Sequence, residues 1–149
     1  MGRPLVFVVD TRVERRLVVV PALAGHTEPC AVEPRADRLL REVRTRGPAL
    51  VLLGEERDGR ACALARALRT DLRAGVRVVL YGDAAHARPR LWTHAEPPPD
   101  GWVPDPRDRA DLEDVVRVVL GGGSRWPVVS APTESLLSRA LRRLRRASM

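Results

Sequence analysis

Three short, mainly apolar runs constrain the fold of this chain more than any other feature. They are PLVFVVD (4–10), ALVLLG (49–54) and VRVVLYG (76–82). None shows the regular alternation of polar and apolar residues that is typical of a strand with one solvent-exposed face. Runs of this length and composition are typical of strands buried on both faces of a parallel sheet.

Stretches with helical periodicity separate and follow these runs. Their apolar residues recur three or four positions apart, and they cover residues 12–24, 34–47, 60–75 and 107–120. Pro21 and three consecutive valines predict an irregular end to the first helix, whereas Gly47 suits the C-terminal stop of the second. Weaker strands are predicted at 29–33 and 102–104. This alternation predicts an α/β fold with helices on both faces of a mostly parallel sheet.

The composition is that of a single cytoplasmic domain. A length of 149 residues suits one hydrophobic core. No apolar run approaches the roughly 20 residues of a membrane span, and the run at the start is too short for a secretory signal. Cys30 and Cys62 lack metal or disulfide spacing, so we expect two buried thiols.

The net charge of +7 raises the question of an anionic partner. All of the 26 basic residues are arginine, and acidic residues are interspersed among them through most of the chain. The charge by itself therefore does not identify nucleic acid as the partner.

The chain divides into a domain at 1–120, a linker at 121–132 and a basic amphipathic helix at 133–149. In that helix Thr133 suits the N-cap. One apolar stripe contains Leu136, Leu137, Ala140, Leu141 and Leu144, opposed by Arg139, Arg142, Arg143, Arg145 and Arg146. Such a helix could pack on its own domain, pair with a second copy, dock on another protein, or bind an anionic membrane or nucleic acid.

Residues 4–120 resemble the receiver domain of bacterial two-component response regulators. The resemblance is carried by VVD (8–10), PALVLLGEERDG (48–59), VRVVLYGDA (76–84) and DGWVPDPRDRADLEDVVRVVL (100–120). It implies a doubly wound, five-stranded parallel sheet with the flavodoxin-like strand order 2-1-3-4-5.

The resemblance also implies that the family's phosphorylation site is degenerate. Receivers use two acids and a phosphoacceptor Asp around Mg²⁺, with a Ser or Thr and a Lys that sense the new charge. The matching positions are Asp10, Thr11, Gly54, Gly82 and Asp105. Because glycine has no side chain to phosphorylate and aspartate reverses the charge of lysine, we expect a pseudo-receiver without catalytic residues, metal or cofactor.

Three finer expectations concern the same region. The Asp105–Pro106 bond is expected to be cis, as it often is in the family. Asp10 and Asp105 are expected to crowd together and to be relieved by an arginine such as Arg12 or Arg57. The acids that follow Gly54, at positions 55, 56 and 58, are expected to form a solvated turn, with a substitute phosphoacceptor as the alternative.

Partner contacts are predicted at Trp92, Trp102, Arg88 and Arg90, in the region of the family's output face, and at Leu137, Leu141 and Leu144. The alternative for the tryptophans is that they cap the edge of the core. No GxSxG, GxGxxG or P-loop motif supports an enzyme. We therefore expect a phosphorylation-independent protein-interaction module in bacterial signalling or regulation, either monomeric or homodimeric. The alternative is an atypical DNA-binding transcriptional regulator that uses the C-terminal helix.

Overall fold

Five parallel strands form one sheet in the order β2-β1-β3-β4-β5, as expected. The structure is a computed structural model and describes residues 2–55, 59–71, 76–82 and 99–125. The strands are β1 (Leu5–Val9), β2 (Glu28–Val32), β3 (Leu50–Gly54), β4 (Arg77–Tyr81) and β5 (Gly101–Val103). The three mainly apolar runs supply β1, β3 and β4, the three central strands, because only those positions are covered on both faces.

Within the described ranges, four helices cover the two faces of this sheet. They are α1 (Val13–Leu23), α2 (Ala36–Arg46), α3 (Arg60–Asp71) and α4 (Arg109–Leu120). One core layer joins Phe7, Val9 and Leu53 to α2 and α3. The other joins Val6, Val8 and Leu52 to α1 and α4. Alternate residues of each central strand therefore enter opposite layers, which is why these strands are almost entirely apolar, with Arg77 as the charged exception at the start of β4.

The helix ends follow local rules. Gly47 ends α2 in the left-handed conformation with φ of 57°, where glycine carries no steric penalty. Helix α1 continues through Pro21 for two further residues, so its predicted irregularity is confined to the last turn. The Asp108 side chain caps α4 by accepting a hydrogen bond from the Asp111 amide at 3.1 Å.

The prediction of a cis bond before Pro106 is wrong, since no cis peptide bond occurs in the described residues. The Asp108 amide donates to the Asp105 carbonyl at 3.1 Å, which closes a four-residue turn with Pro106 in its second position. Proline is favoured there in the trans form, because its fixed φ matches the turn.

The chain returns to the sheet after α4. The Arg125 amide donates to the Asp100 carbonyl at 2.9 Å, and the Trp102 amide donates to the Arg125 carbonyl at 3.2 Å. Residues 121–125, the start of the predicted linker, thus lie against β5. None of the described helices is long and apolar enough to cross a membrane.

Candidate functional site

The candidate site lies at the carboxyl edge of the sheet, where three strands place one row of residues. Val9 is level with Leu53 across β1 and β3, and Gly54 is level with Tyr81 across β3 and β4. Asp10, Gly54 and Tyr81 therefore form one row, and residue alternation points all three toward the layer that holds α1 and α4. This is the edge at which open parallel sheets place their ligand sites.

Asp10 is buried in this row, with 2% of its surface exposed, and its carboxylate accepts three hydrogen bonds. The Arg15 guanidinium donates to Oδ1 at 2.8 Å, and the Arg12 backbone amide donates to the same oxygen at 2.9 Å. The Tyr81 hydroxyl donates to Oδ2 at 2.7 Å. A buried carboxylate with this many donors is held in one position.

Arg15 supplies the positive charge of the site, and sequence reasoning missed it. Its side chain leaves the first turns of α1 and is 8% exposed. Besides the ion pair with Asp10, it donates to the Glu55 backbone carbonyl at 2.8 Å, so it links β1 to the end of β3. The sequence did carry a signal, since Arg15 precedes Val19 by four residues and so falls on the apolar stripe of α1.

Gly54 has no room for a side chain. A Cβ atom added there would lie 2.5 Å from both Cγ and Oδ2 of Asp10, far inside a normal contact of about 3.5–4.0 Å. The Asp10 carboxylate therefore occupies the space above Gly54. A Cβ atom at Gly82 would lie 3.2 Å from Cβ of Glu55, so this position is also tightly packed.

Glu55 corrects one sequence-based expectation. It was expected in a solvated acidic turn, but it is 8% exposed, and the Cys62 thiol donates to its Oε2 atom at 2.9 Å. Burial and the Glu55 carboxylate together raise the pKa of Cys62, so the thiol stays protonated and donates to the carboxylate. The other two acids of that turn, at 56 and 58, lie outside the described residues.

Tyr81 completes the buried network. Burial raises the pKa of its hydroxyl, and the neighbouring Asp10 carboxylate raises it further, because ionisation would place two negative charges side by side. The Tyr81 ring also lies 5.7 Å from the Arg15 guanidinium carbon, within cation–π range. Asp10, Arg15 and Tyr81 thus form one buried network, linked by the hydrogen bonds of the Asp10 carboxylate.

Asp105 and Thr11 lie at the same edge but outside this network. Hydrogen bonds from the Arg107 side chain and backbone lower the pKa of Asp105, and the two side chains pair at 3.1 Å. Each aspartate therefore has its own arginine, and neither is one of the two that were expected. Arg12 contributes a backbone amide to Asp10, and position 57 lies outside the described residues. Thr11 is exposed.

The residues at this edge do not fit the Mg²⁺ ion that the receiver fold implies. Mg²⁺ requires several oxygen ligands in octahedral geometry. Here Gly54 offers no side-chain oxygen, and both oxygens of Asp10 already accept hydrogen bonds, one of them from the Arg15 cation. Among the residues that the structure describes, no group of three or more His, Cys, Asp and Glu is placed to hold a metal ion.

Trp102 is a core residue. It is 2% exposed and belongs to the layer beneath α2 and α3, which agrees with the core-edge alternative and not with a contact to a partner. The remaining predicted contacts lie outside the described residues: Arg88, Arg90, Trp92, Leu137, Leu141 and Leu144. Their role stays a prediction.

Comparison with known proteins identifies the fold. No protein-family model matches the sequence, and no curated protein is detectably similar to it. Solved structures do match. The receiver domain of RcsB from Salmonella enterica serovar Typhimurium, in its apo form, superimposes with a TM-score of 0.68 at 12% identity, covering 91% of this chain and 99% of that one.

Two further solved structures agree. The signal receiver domain of the putative response regulator NarL from Mycobacterium tuberculosis gives a TM-score of 0.62 at 21% identity, covering 82% of this chain and 99% of that one. A LuxR family DNA-binding response regulator from Silicibacter pomeroyi gives 0.58 at 24% identity, covering 83% and 96%. The chain therefore has the fold of a response-regulator receiver domain.

Proposed function

We propose that this chain is a receiver-like protein-interaction module of bacterial signalling or regulation that works without phosphorylation. One observation carries the proposal. The Asp10 carboxylate, held by Arg15 and Tyr81, occupies the space above Gly54 in which the resemblance places a phosphoacceptor side chain. The ion pair of Asp10 and Arg15 therefore lies at the position where receivers bind a metal ion and accept a phosphoryl group.

The physical consequence is a fixed charge state at the carboxyl edge. Phosphorylation switches a receiver by adding negative charge that neighbouring side chains then sense. In this chain the Arg15 cation is tethered to α1 and neutralises Asp10 without any exchangeable ligand. Nothing in this pair changes with a phosphodonor, so we infer that the surface presented to a partner is permanently in one state.

Binding, and not catalysis, follows from the same geometry. Apart from the exposed pair of Asp105 and Arg107, two pairs of ionisable side chains meet at this edge in the described residues, and both pairs are buried: Asp10 with Arg15, and Glu55 with Cys62. A nucleophile or general base must reach a substrate proton or carbon, and these groups do not face solvent. The predicted contact region that contains Arg88, Arg90 and Trp92 remains the proposed recognition surface.

The proposal is tested by two measurements on the full chain. Incubation with a small-molecule phosphodonor and Mg²⁺, followed by intact-mass analysis, should add no phosphoryl group to the chain or to its Gly54→Asp variant, since Asp10 blocks the new side chain. Capture of partners from native cell extract should then recover the same protein with phosphodonor and Mg²⁺ as with a chelator.

Three results would contradict the proposal or the observation that carries it. A stable phosphoryl adduct on the natural chain would show that another carboxylate has taken over the acceptor role. A partner that is recovered only after phosphodonor treatment would show that the module switches in the ordinary way. An adduct on Gly54→Asp alone would refute the argument from occupied space.

A DNA-binding regulator is the second candidate, because residues 133–149 hold five arginines against one glutamate. The similar Silicibacter pomeroyi protein is itself a DNA-binding response regulator. Replacing Arg142, Arg143, Arg145 and Arg146 together by alanine would then abolish a salt-dependent affinity for duplex DNA. Retention of DNA by the natural chain, with no protein partner captured, would favour this candidate over the first.

A further inference from the structure

We propose that the C-terminal segment 133–149 of the same chain docks in the groove between α1 and α4. The inference is independent of the proposed function, since it concerns how the chain covers its own surface. It is carried by three observations: the shape and lining of the groove, the point at which the described chain ends, and the pattern of the segment.

The groove runs along the outer side of α4 and the end of α1, with a volume of about 690 Å³. On α4 its lining extends from Ala110 to Leu120. Four apolar side chains and two acids carry the argument: Ala22, Leu23, Val116, Leu120, Glu113 and Asp114. The apolar floor suits the apolar stripe of an amphipathic helix; the two acids already pair with Arg109, Arg117 and Arg125, so the apolar contact carries the fit.

The described chain ends beside this groove. Arg125 is its last residue, and its guanidinium pairs with Asp111 at 3.9 Å and also with Asp114, both on α4. Asp114 therefore contacts the start of the C-terminal region and lines the groove as well. The next residues therefore leave from beside β5, where the Arg125 backbone is hydrogen-bonded, and only the Arg125 side chain contacts the helix that forms one wall of the proposed site.

The lengths match. Residues 126–132 can extend about 23 Å, at roughly 3.3 Å per residue, whereas the lining of α4 from Ala110 to Leu120 spans only about 16 Å at 1.5 Å per residue. A helix that begins at Thr133 can therefore enter the groove at either end. Its apolar stripe, from Leu136 to Leu144, covers nine residues and about 13 Å as a helix.

The chemistry of the segment also matches. Docking would place the apolar stripe that contains Leu137 and Leu141 on the apolar floor. The opposite face, which carries arginines such as Arg142, would then remain in water. Left undocked, the same stripe would remain in contact with water, which is unfavourable in proportion to its apolar area.

The tether favours this chain over a second copy. Residues 126–132 tether the segment to its own domain, which gives the segment an effective concentration in the millimolar range, above that of a second copy at micromolar protein concentration. The same groove on a second copy of the chain therefore competes poorly for the segment.

The test compares amide chemical shifts of the full, ¹⁵N-labelled chain with those of matched variants. Leu141→Ser alters the stripe, and Arg142→Ser introduces the same residue on the opposite side of the predicted helix. We expect the first to shift the amides of His26, Thr27 and the α4 lining, at every protein concentration, and the second to leave them in place.

A reciprocal pair changes the groove. Ala110→Arg places bulk and positive charge in the lining, whereas Ala63→Arg makes the same change at an exposed site of α3, on the other face of the sheet. Only the former should shift amides of residues 133–149.

Two outcomes would overturn the proposal. One is a Leu141→Ser effect that is confined to residues 126–149 or that maps elsewhere, for instance to the exposed Leu17 of α1. The other is a groove response that grows with protein concentration, because this would assign the groove to a second copy. Neither readout uses a phosphodonor or a partner, so failure here leaves the proposed function untouched.

Discussion

The replacement Gly54→Ala tests the occupied space directly. The new Cβ atom would lie 2.5 Å from the Asp10 Cγ atom, so one of the two must move by about 1 Å to reach a normal contact. Asp10 cannot move freely, since three donors hold its carboxylate. Overpacking of this kind costs about 1–3 kcal/mol, and we expect that loss in the free energy of unfolding, measured by urea titration with circular dichroism.

The sign of the effect should reverse when Asp10 is truncated. In an Asp10→Ala background the clashing atoms are gone, and Gly54→Ala should then stabilise the strand by about 0.5–1 kcal/mol, because alanine loses less backbone entropy on folding. Gly25→Ala, at a position with no atom within 4 Å, serves as the control for that backbone effect. If Gly54→Ala changes the free energy of unfolding equally in both backgrounds, the carboxylate does not fill this space and the reasoning is refuted.

Three further predictions concern the partners of Asp10. Arg15→Ala should lower the free energy of unfolding by about 3–5 kcal/mol, because it leaves a buried carboxylate without its cation. Arg107→Ala breaks an exposed pair with Asp105 and should cost no more than about 1 kcal/mol; equal losses would contradict the distinction. Tyr81 is the one tyrosine of the chain, and its pKa is raised. Ultraviolet absorbance should therefore show no tyrosinate in the folded protein near the ordinary tyrosine pKa of about 10, whereas the urea-unfolded chain should titrate there. Identical titrations of the folded and unfolded chain would refute the burial of Tyr81 against Asp10. Since the unfolded chain loses this proton first, the free energy of unfolding should fall as the pH rises above about 10, and the fall should be weaker in Tyr81→Phe; an unchanged slope in that variant would show that Tyr81 makes no contribution.

The positions of the strands and helices could be predicted from the sequence because the apolar pattern that indicates burial lies within each segment. Each central strand is almost entirely apolar, with Arg77 at the start of β4 as the charged exception, and each helix repeats its apolar residues with a helical period, so neither signal needs knowledge of distant residues. The resemblance to receivers then supplied the strand order, which the sheet confirms. Trp102 could not be assigned in this way, because one tryptophan beside a proline-rich stretch fits a core edge and an exposed contact equally well.

The absence of a phosphoacceptor side chain at Gly54 was determined by the sequence alone, given the alignment of strand ends, because a residue's identity does not depend on its surroundings. What replaces that side chain was decided only by the tertiary structure. Asp10 and Tyr81 are 71 residues apart in the chain, and Arg15 and the Glu55 carbonyl are 40 apart. They meet because parallel strands bring their carboxyl ends to one edge and residue alternation turns one row toward α1. The place of Arg15 on the apolar stripe of α1 indicates that this arginine is buried, but packing decides which of the 26 arginines pairs with Asp10.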